Sequence, residues 1–465
     1  MKVLFFSAPR PPSNKTAMHM GGGRPPMGLA YLSAYLKQFG HESKIIDLYH
    51  FGGGHVGDLA RSKTAICWVQ DNSNPVDIFE EIENYNPDYI GMYLGTVSFY
   101  EGLKIAKKIR LKYPDLPFMV GGPHATELPE SLLGKFDYIV CGEGEKAVLD
   151  IIADKSQKGI VVGEMINDLD SLPLPDYSHF VKKSYNWKLE MFEDNIEPVI
   201  TINSTRGCPF SCMFCGVANT RFRGLSARVL VNYISSLQSQ FGAKGIYFRE
   251  DNFTIKSKRV EDFCNLLLSE NMNIKWACES RVKNLSPHLI EKMAKSGCVG
   301  LYIGVESGSD RMLEYIKKGE TRKDFIEKMP IFHANGIRTY TTWIYGLPSE
   351  TEKDREMSDR FCEVLNPTEI DKFVYLGQPG SDFYKILDMT REYELKEPNG
   401  IFYIRGFIPL AKRIYGNDDP RVEFVEDLYS KYKVKPGPLK PYYINKDMYL
   451  NMSTKKIRKQ LSEKT

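Results

Sequence analysis

Residues 201–216 read TINSTRGCPFSCMFCG and place Cys208, Cys212 and Cys215 within eight positions, in a chain with nine cysteines among 465 residues. Gly207 and Pro209 favour a short irregular loop that curls its side chains inward, so the three thiolates can converge on one inorganic centre. A structural zinc site wants four N or S ligands, normally with a second Cys or His pair downstream. No second CxxC, CxxH or HxxxH follows here. A four-iron cluster held by three thiolates leaves one iron free to bind a small chelating substrate, as catalytic metals keep an open position.

Strand and helix signals alternate around this loop. Residues 198–203 (PVITIN) lead into it as a strand, and 229–241 follow as a helix. Strands at 245–248, 275–278, 300–305, 338–345 and 372–376 then alternate with helices at 258–270, 287–296, 321–335 and 351–364. Six such units predict a partial, open (β/α)6 barrel. Active groups in such barrels lie at the carboxyl ends of the strands, where the cysteine loop falls.

Upstream, residues 2–8 (KVLFFSA), 43–49, 88–94 (DYIGMYL), 117–120 and 136–141 read as strands, with helices at 25–40 and 100–113. The alternation predicts an α/β, doubly wound, Rossmann-like parallel sheet. Ligands of such sheets sit beyond the carboxyl strand ends. Small polar segments stand there: 95–98 (GTVS), 121–126 (GGPHAT) and 142–145 (GEGE). Neither GxGxxG nor a Walker loop occurs, which disfavours a dinucleotide or a nucleoside triphosphate. Between the halves, residues 167–177 (NDLDSLPLPDY) read as an extended connector that lets two domains fold separately.

The Cys-x3-Cys-x2-Cys spacing, with Phe214 just before the last cysteine, resembles the cluster loop of the radical S-adenosylmethionine (SAM) enzymes. GGPHAT, the preceding PDYIG and CGEGE together resemble the cobalamin-binding domain that precedes many of them, over about residues 1–150. The resemblance implies a [4Fe-4S] cluster on Cys208, Cys212 and Cys215, S-adenosyl-L-methionine, and cobalamin. It implies domains at 1–152 (cobalamin), 153–194 (linker), 195–380 (barrel) and 381–465 (C-terminal cap). In FREDNFT (248–254) the family's acidic pair appears with Glu250 where an aspartate is usual, to receive the ammonium of SAM. Ser280 and Arg281 would take its carboxylate, Glu306 and Ser307 its ribose side, and Tyr345 with Leu347 its adenine. Thr96, Ser98, Gly121, Gly122, His124, Gly142 and Glu143 would contact cobalamin. The DxHxxG motif, whose histidine ligates cobalt from below in other cobalamin proteins, is absent. The lower cobalt face is then open to water or covered by a side chain, with His124 and the insertion around Trp68 as candidates.

Composition is that of an ordinary globular protein, and 62 basic against 59 acidic side chains give no field that would draw nucleic acid or an anionic membrane. Only Lys455, Lys456, Arg458 and Lys459 form a basic stretch, which reads as a solvated helix end. No apolar run is long enough for a spanning helix, so a cytoplasmic location is expected. The leading expectation is a cobalamin-dependent radical SAM methyltransferase acting on an unactivated carbon or phosphorus of a small metabolite. It would be fed by an external one-electron donor such as flavodoxin or ferredoxin. Ring closure or diol dehydration without methyl transfer is the alternative, and no motif separates the two. Methylthiolation is disfavoured because residues 1–152 hold only Cys67 and Cys141 where that family needs three further cysteines. An electron carrier would leave the strand-end carboxylates and the GGPHAT loop without a task.

Overall fold

The computed structural model describes residues 1–9, 25–48, 67–69, 75–180, 192, 196–390, 395–396, 400–404, 406–431 and 433. The side-chain surroundings of Trp68 and the basic stretch at 455–459 lie outside the described residues.

In the first half, strands β1 (Lys2–Ser7) and β2 (Glu42–Asp47), a small antiparallel pair β3 (Cys67–Val69) and β4 (Pro75–Asp77), and strands β5 (Tyr89–Tyr93), β6 (Phe118–Gly121), β7 (Tyr138–Cys141) and β8 (Gly159–Val162) alternate with helices α1 (Met27–Gln38), α2 (Ile78–Tyr85), α3 (Phe99–Lys112), α4 (Pro123–Glu127) and α5 (Gly144–Ala153). Six of the strands form one parallel sheet in the order β2-β1-β5-β6-β7-β8. Successive side chains point to opposite faces of a strand, and β1 shows the consequence. Leu4 and Phe6 join a core with Ile90, Met92 and Ile105 on one face. Val3 and Phe5 join Leu29, Tyr89 and Ile151 on the other. Edge strand β8 gave no sequence signal because its side chains alternate between half-buried and exposed.

The second core does not stop at the first sheet. It runs through Ile166, Leu169, Tyr177 and Phe180 into Ile200, Ile246 and Trp276 of the second half. The stretch expected as an extended, independent connector is therefore packed, with short 3-10 turns at Leu169–Ser171 and Tyr177–His179. The Tyr177 hydroxyl donates to the Thr201 carbonyl at 2.7 Å and accepts from Tyr233 at 2.9 Å. Leu169 and Tyr177, on either side of the prolines, anchor it, a packing signal that proline and acidic content conceals.

The second half continues with β9 (Val199–Ile202), two-residue strands β10 (Thr205–Arg206) and β11 (Arg223–Gly224), α6 (Ala227–Phe241), β12 (Gly245–Phe248), α7 (Ser257–Ser269), β13 (Lys275–Ser280), α8 (Pro287–Lys295), β14 (Cys298–Glu306), α9 (Asp310–Tyr315), α10 (Arg322–Ala334), β15 (Arg338–Tyr345), α11 (Glu352–Leu365) and β16 (Glu369–Val374). Six parallel strands lie in the order β16-β15-β14-β13-β12-β9, with the two outer strands unpaired to each other, so the sheet is open. Helix starts follow local chemistry. Thr321 and Thr351 each form a capping box with the aspartate three residues on, and Ser226 and Ser286 accept from the backbone at the starts of α6 and α8. Behind the strand ends Phe248, Phe253, Phe263 and Trp276 pack ring to ring at 4.3–5.9 Å. Each such contact contributes about 0.5–1.5 kcal/mol beyond burial. Among the described residues no helix is long and apolar enough to cross a membrane.

Candidate active site

The cysteine loop, residues 207–222, is closed at its base by the β10·β11 ladder, which pairs Thr205 with Gly224 and Arg206 with Arg223. Inside it Cys208 exchanges backbone and side-chain bonds with Thr220, Asn219 N–H donates to the Phe210 carbonyl at 2.8 Å, and the Ser211 hydroxyl donates to Asn219 at 2.7 Å. Gly207 has φ +84°, and a Cβ there would fall 2.3 Å from the Arg221 carbonyl oxygen, so glycine is required. Met213 ties the loop to the barrel, donating to the Ile316 carbonyl at 3.0 Å and accepting from Phe383 N–H at 2.8 Å. Phe214 packs half-buried against the core.

Among the described residues no group of three His, Cys, Asp or Glu could hold a single metal ion. Ligands of a cluster each bind a different iron and stand further apart than ligands on one ion, so this spacing leaves the three thiols open to a cluster. Burial pushes the Cys208 thiol up and Cys215 to about 12. Such sulfurs keep their protons until a metal displaces them.

Arg281, at the end of β13, lies over the Phe210 ring at 3.9 Å and donates from Nη1 toward the Cys212 sulfur at 3.7 Å. Its Nη2 is buried without a partner, a donor free for an incoming carboxylate. Ser280 is beside it, but its hydroxyl is taken by Thr254 at 2.7 Å and the Arg281 carbonyl at 3.0 Å. Glu306 ends β14 at φ +70°, in the left-handed region, with its carboxylate 3.3 Å from Lys318 Nζ. Gly304 makes room for this pair: a Cβ there would sit 2.2 Å from Glu306 Oε1 and 2.9 Å from Lys318 Nζ. Burial raises the Glu306 carboxyl, against the pull of Lys318. Ser307 is buried and bonds the Ser358 hydroxyl at 3.3 Å.

Five expected contact residues have other partners within the protein. Glu250 is buried with both oxygens occupied, accepting from Ser204 N–H and the Thr205 hydroxyl, each at 2.5 Å. It braces the entrance to the cysteine loop, whereas its more exposed neighbour Asp251 takes a bond from the Gly207 N–H at the start of that loop. Tyr345 is buried and points toward α11: its hydroxyl donates to Asp359 of that helix at 2.7 Å and Lys372 lies over its face, while Leu347 is buried in the core. His124 is fully buried, with Nδ1 3.3 Å from the Thr96 hydroxyl, Nε2 3.0 Å from the Ser131 hydroxyl, and Phe99 packed at 4.6 Å. Both ring nitrogens are thus occupied by hydroxyls of the first domain. Glu143 is spent on arginines of the cysteine loop.

The rest of the first domain's edge keeps the shape of a binding surface. Thr96 and Ser98 form a turn after β5, Gly121 ends β6, Gly122 (φ +101°) enters α4, and Gly142 (φ +84°) follows β7. A Cβ at Gly122 would approach the Leu94 carbonyl oxygen to 2.9 Å. The Ser98 hydroxyl is buried without a partner, and Val97 beside it is exposed. An orphan donor and an exposed apolar side chain on a glycine edge fit a large ligand with amide and apolar parts.

Residues outside the expected set also belong here. Lys318 and Glu320 follow α9 rather than a strand, so a search of strand ends passes over them. Phe210, under Arg281, lies within the cysteine stretch itself.

Residues 202–362 match the Radical SAM superfamily and residues 17–152 match the B12 binding domain. An uncharacterised methyltransferase of Pyrococcus horikoshii is 28% identical over 390 residues, covering 79% of this chain and 78% of that protein. The anaerobic magnesium-protoporphyrin IX monomethyl ester cyclase of Rubrivivax gelatinosus is 24% identical over 426 residues, covering 86% and 72%. The solved structure of the cobalamin-dependent S-adenosylmethionine radical enzyme OxsB, with aqua-cobalamin bound, superposes with a TM-score of 0.66 at 16% identity, covering 93% of this chain and 71% of that one, and so shares its fold. With both domains matched in this order, and with residues that fit a cluster and a cobalamin edge, the chain belongs to the radical SAM enzymes that carry a B12-binding domain, with a [4Fe-4S] cluster, S-adenosylmethionine and cobalamin as its cofactors.

Proposed function

We propose that this enzyme is a methyltransferase that moves a methyl group to an unactivated carbon, or a phosphorus, of a small molecule. One observation carries the reading: three unpaired thiols, with Arg281 against one of them, stand at the carboxyl end of the barrel strands, and the first domain's glycine edge is joined to the same loop. The methyltransferase from Pyrococcus horikoshii, matched over most of both chains, supports it. When bound, the cluster supplies one electron for cleavage of the SAM sulfonium and cobalamin supplies a transferable methyl group.

The chain's own residues bind, orient and exclude water. Cys208, Cys212 and Cys215 hold the cluster, and the free Nη2 of Arg281 takes a carboxylate next to it. Asp251, in place of Glu250, receives an ammonium, and Glu306 with Ser307 lines the ribose side. Thr96, Ser98, Gly121, Gly122 and Gly142 carry cobalamin. The one-electron donor is an external protein of flavodoxin or ferredoxin type. The working domains run 1–152 and 195–380.

The relative from Rubrivivax gelatinosus supports a second reading, ring closure without methyl transfer. Anaerobic turnover of cell extract with methyl-labelled SAM separates them. Label in a product heavier by one methylene supports methyl transfer. Release of 5′-deoxyadenosine with an unlabelled, altered product would overturn it.

A further inference from the structure

The two-stranded base of the cysteine loop carries one arginine on each strand, and both are held by the first domain. Glu143, directly after Gly142, pairs with Arg206 at 3.0 Å and with Arg223 at 2.5 Å, and accepts from Ile166 N–H at 2.9 Å. Glu145, in the first turn of α5, takes the other Arg206 nitrogen at 2.5 Å. Arg223 also donates to the Ile166 carbonyl at 2.6 Å. The Tyr31 ring faces the Arg206 guanidinium at 5.3 Å and its hydroxyl donates to the Asn203 carbonyl at 2.9 Å. Glu145 and Arg223 are 5% and 9% exposed, so water screens the group little.

The backbone on both sides lacks slack. A Cβ at Gly163 would fall 1.8 Å from the Glu143 carbonyl oxygen, and one at Gly207 would fall 2.3 Å from that of Arg221. Glu143 follows the last glycine of the first domain's edge, and Arg206 precedes Cys208 by two residues. We propose that Glu143, Glu145, Arg206 and Arg223 form a positioning clasp that sets the separation and orientation of the first domain's ligand edge against the cysteine loop. The inference rests on the reading that these edges hold cobalamin and the cluster. A fork-shaped guanidinium shared by two carboxylates fixes angle as well as distance, which a point charge does not.

The test compares full-length wild type with Glu143→Gln and Arg206→Lys, the second keeping charge without the fork. Amide hydrogen exchange of cofactor-free protein should quicken about tenfold over 204–208 and 220–225 in both variants, with β13 to β15 unchanged. After cluster reconstitution, 5′-deoxyadenosine formed from SAM under titanium citrate should keep its wild-type rate, since it needs only the barrel. S-adenosylhomocysteine formed when hydroxocobalamin is added should fall by about tenfold or more, because transfer between two cofactors depends on their spacing. Unchanged exchange, or faster exchange with an unchanged ratio of the two products, overturns the clasp. A wild type that forms no S-adenosylhomocysteine with cobalamin, beside variants whose exchange still quickens, leaves the clasp and removes the methyltransferase reading. Should Glu143→Gln fail to fold, Arg206→Lys carries both readouts.

Discussion

Arg281 directs one Nη at the sulfur of Cys212, 3.7 Å away. Glu320 holds it there, accepting from Arg281 Nε at 3.2 Å and from the Val282 and Lys283 backbone at 2.8 and 3.0 Å. A cation beside a cluster thiolate favours the more reduced, more negative cluster. Arg281→Met should therefore lower the reduction potential by roughly 60 mV or more, about 1.4 kcal/mol for one electron. An EPR-monitored redox titration reads it, and an unchanged potential would show that the guanidinium serves substrate alone.

Lys318 lies between two carboxylates, 3.3 Å from Glu306 and 3.7 Å from Glu320, and all three side chains are nearly inaccessible. Removing this ammonium leaves two buried anions with, among the described residues, Arg281 as the remaining cation beside them. Lys318→Met should cost about 3–5 kcal/mol of stability, and Lys318→Met with Glu306→Gln should recover part of it. Urea unfolding of the two variants checks this. A loss below about 1 kcal/mol would place the group in solvent, where such pairs contribute little.

His124 gives the pH dependence. Burial among Phe99 and two hydroxyls pushes its pKa down to about 4, whereas the unfolded chain titrates near the ordinary value of about 6.5. Between these the unfolded state binds the extra proton, so stability is full above about 6.5 and falls as pH drops toward 4, by up to about 3 kcal/mol. Unfolding free energies of wild type minus His124→Gln across that window isolate the histidine from the carboxylates. In bound cob(II)alamin, EPR should show no nitrogen splitting from labelled histidine. Splitting would return His124 to the lower cobalt face.

The acidic pair divides its work. Glu250→Gln keeps one acceptor for Ser204 N–H but weakens the bond from Thr205, so it should lower stability by about 1–2 kcal/mol and reduce iron retention. Asp251→Asn keeps an acceptor for the Gly207 N–H, so it should lower stability less than Glu250→Gln does and weaken SAM binding about tenfold, the loss of one charge-assisted bond. Calorimetric titration with SAM under anaerobic conditions separates the two residues. Equal loss of SAM affinity in both would contradict the assignment.

The strands were legible because parallel strands buried on both faces read as short apolar runs, and the glycine edges because glycine marks close backbone approach. The cysteine loop was legible from spacing alone. Side-chain direction was not. Tyr345 and Glu306 both stand at strand ends, yet one turns to Asp359 and the other to Lys318. Linear order also hides partners: Glu143 and Glu145 look like ligand residues until the fold brings Arg206 and Arg223 to them. Glu250 and Asp251 are chemically alike in sequence, and only the fold shows that the Ser204 N–H and the Thr205 hydroxyl take both oxygens of the first.

The most direct measurement is EPR of the anaerobically reconstituted, reduced chain with and without SAM, alongside iron content. About four irons per chain, a cluster signal that changes when SAM is added, and loss of that signal in each of Cys208→Ala, Cys212→Ala and Cys215→Ala are the expected results. A cluster whose spectrum is indifferent to SAM, or that survives loss of any one of these cysteines through another side chain, would contradict an open iron and the radical chemistry built on it.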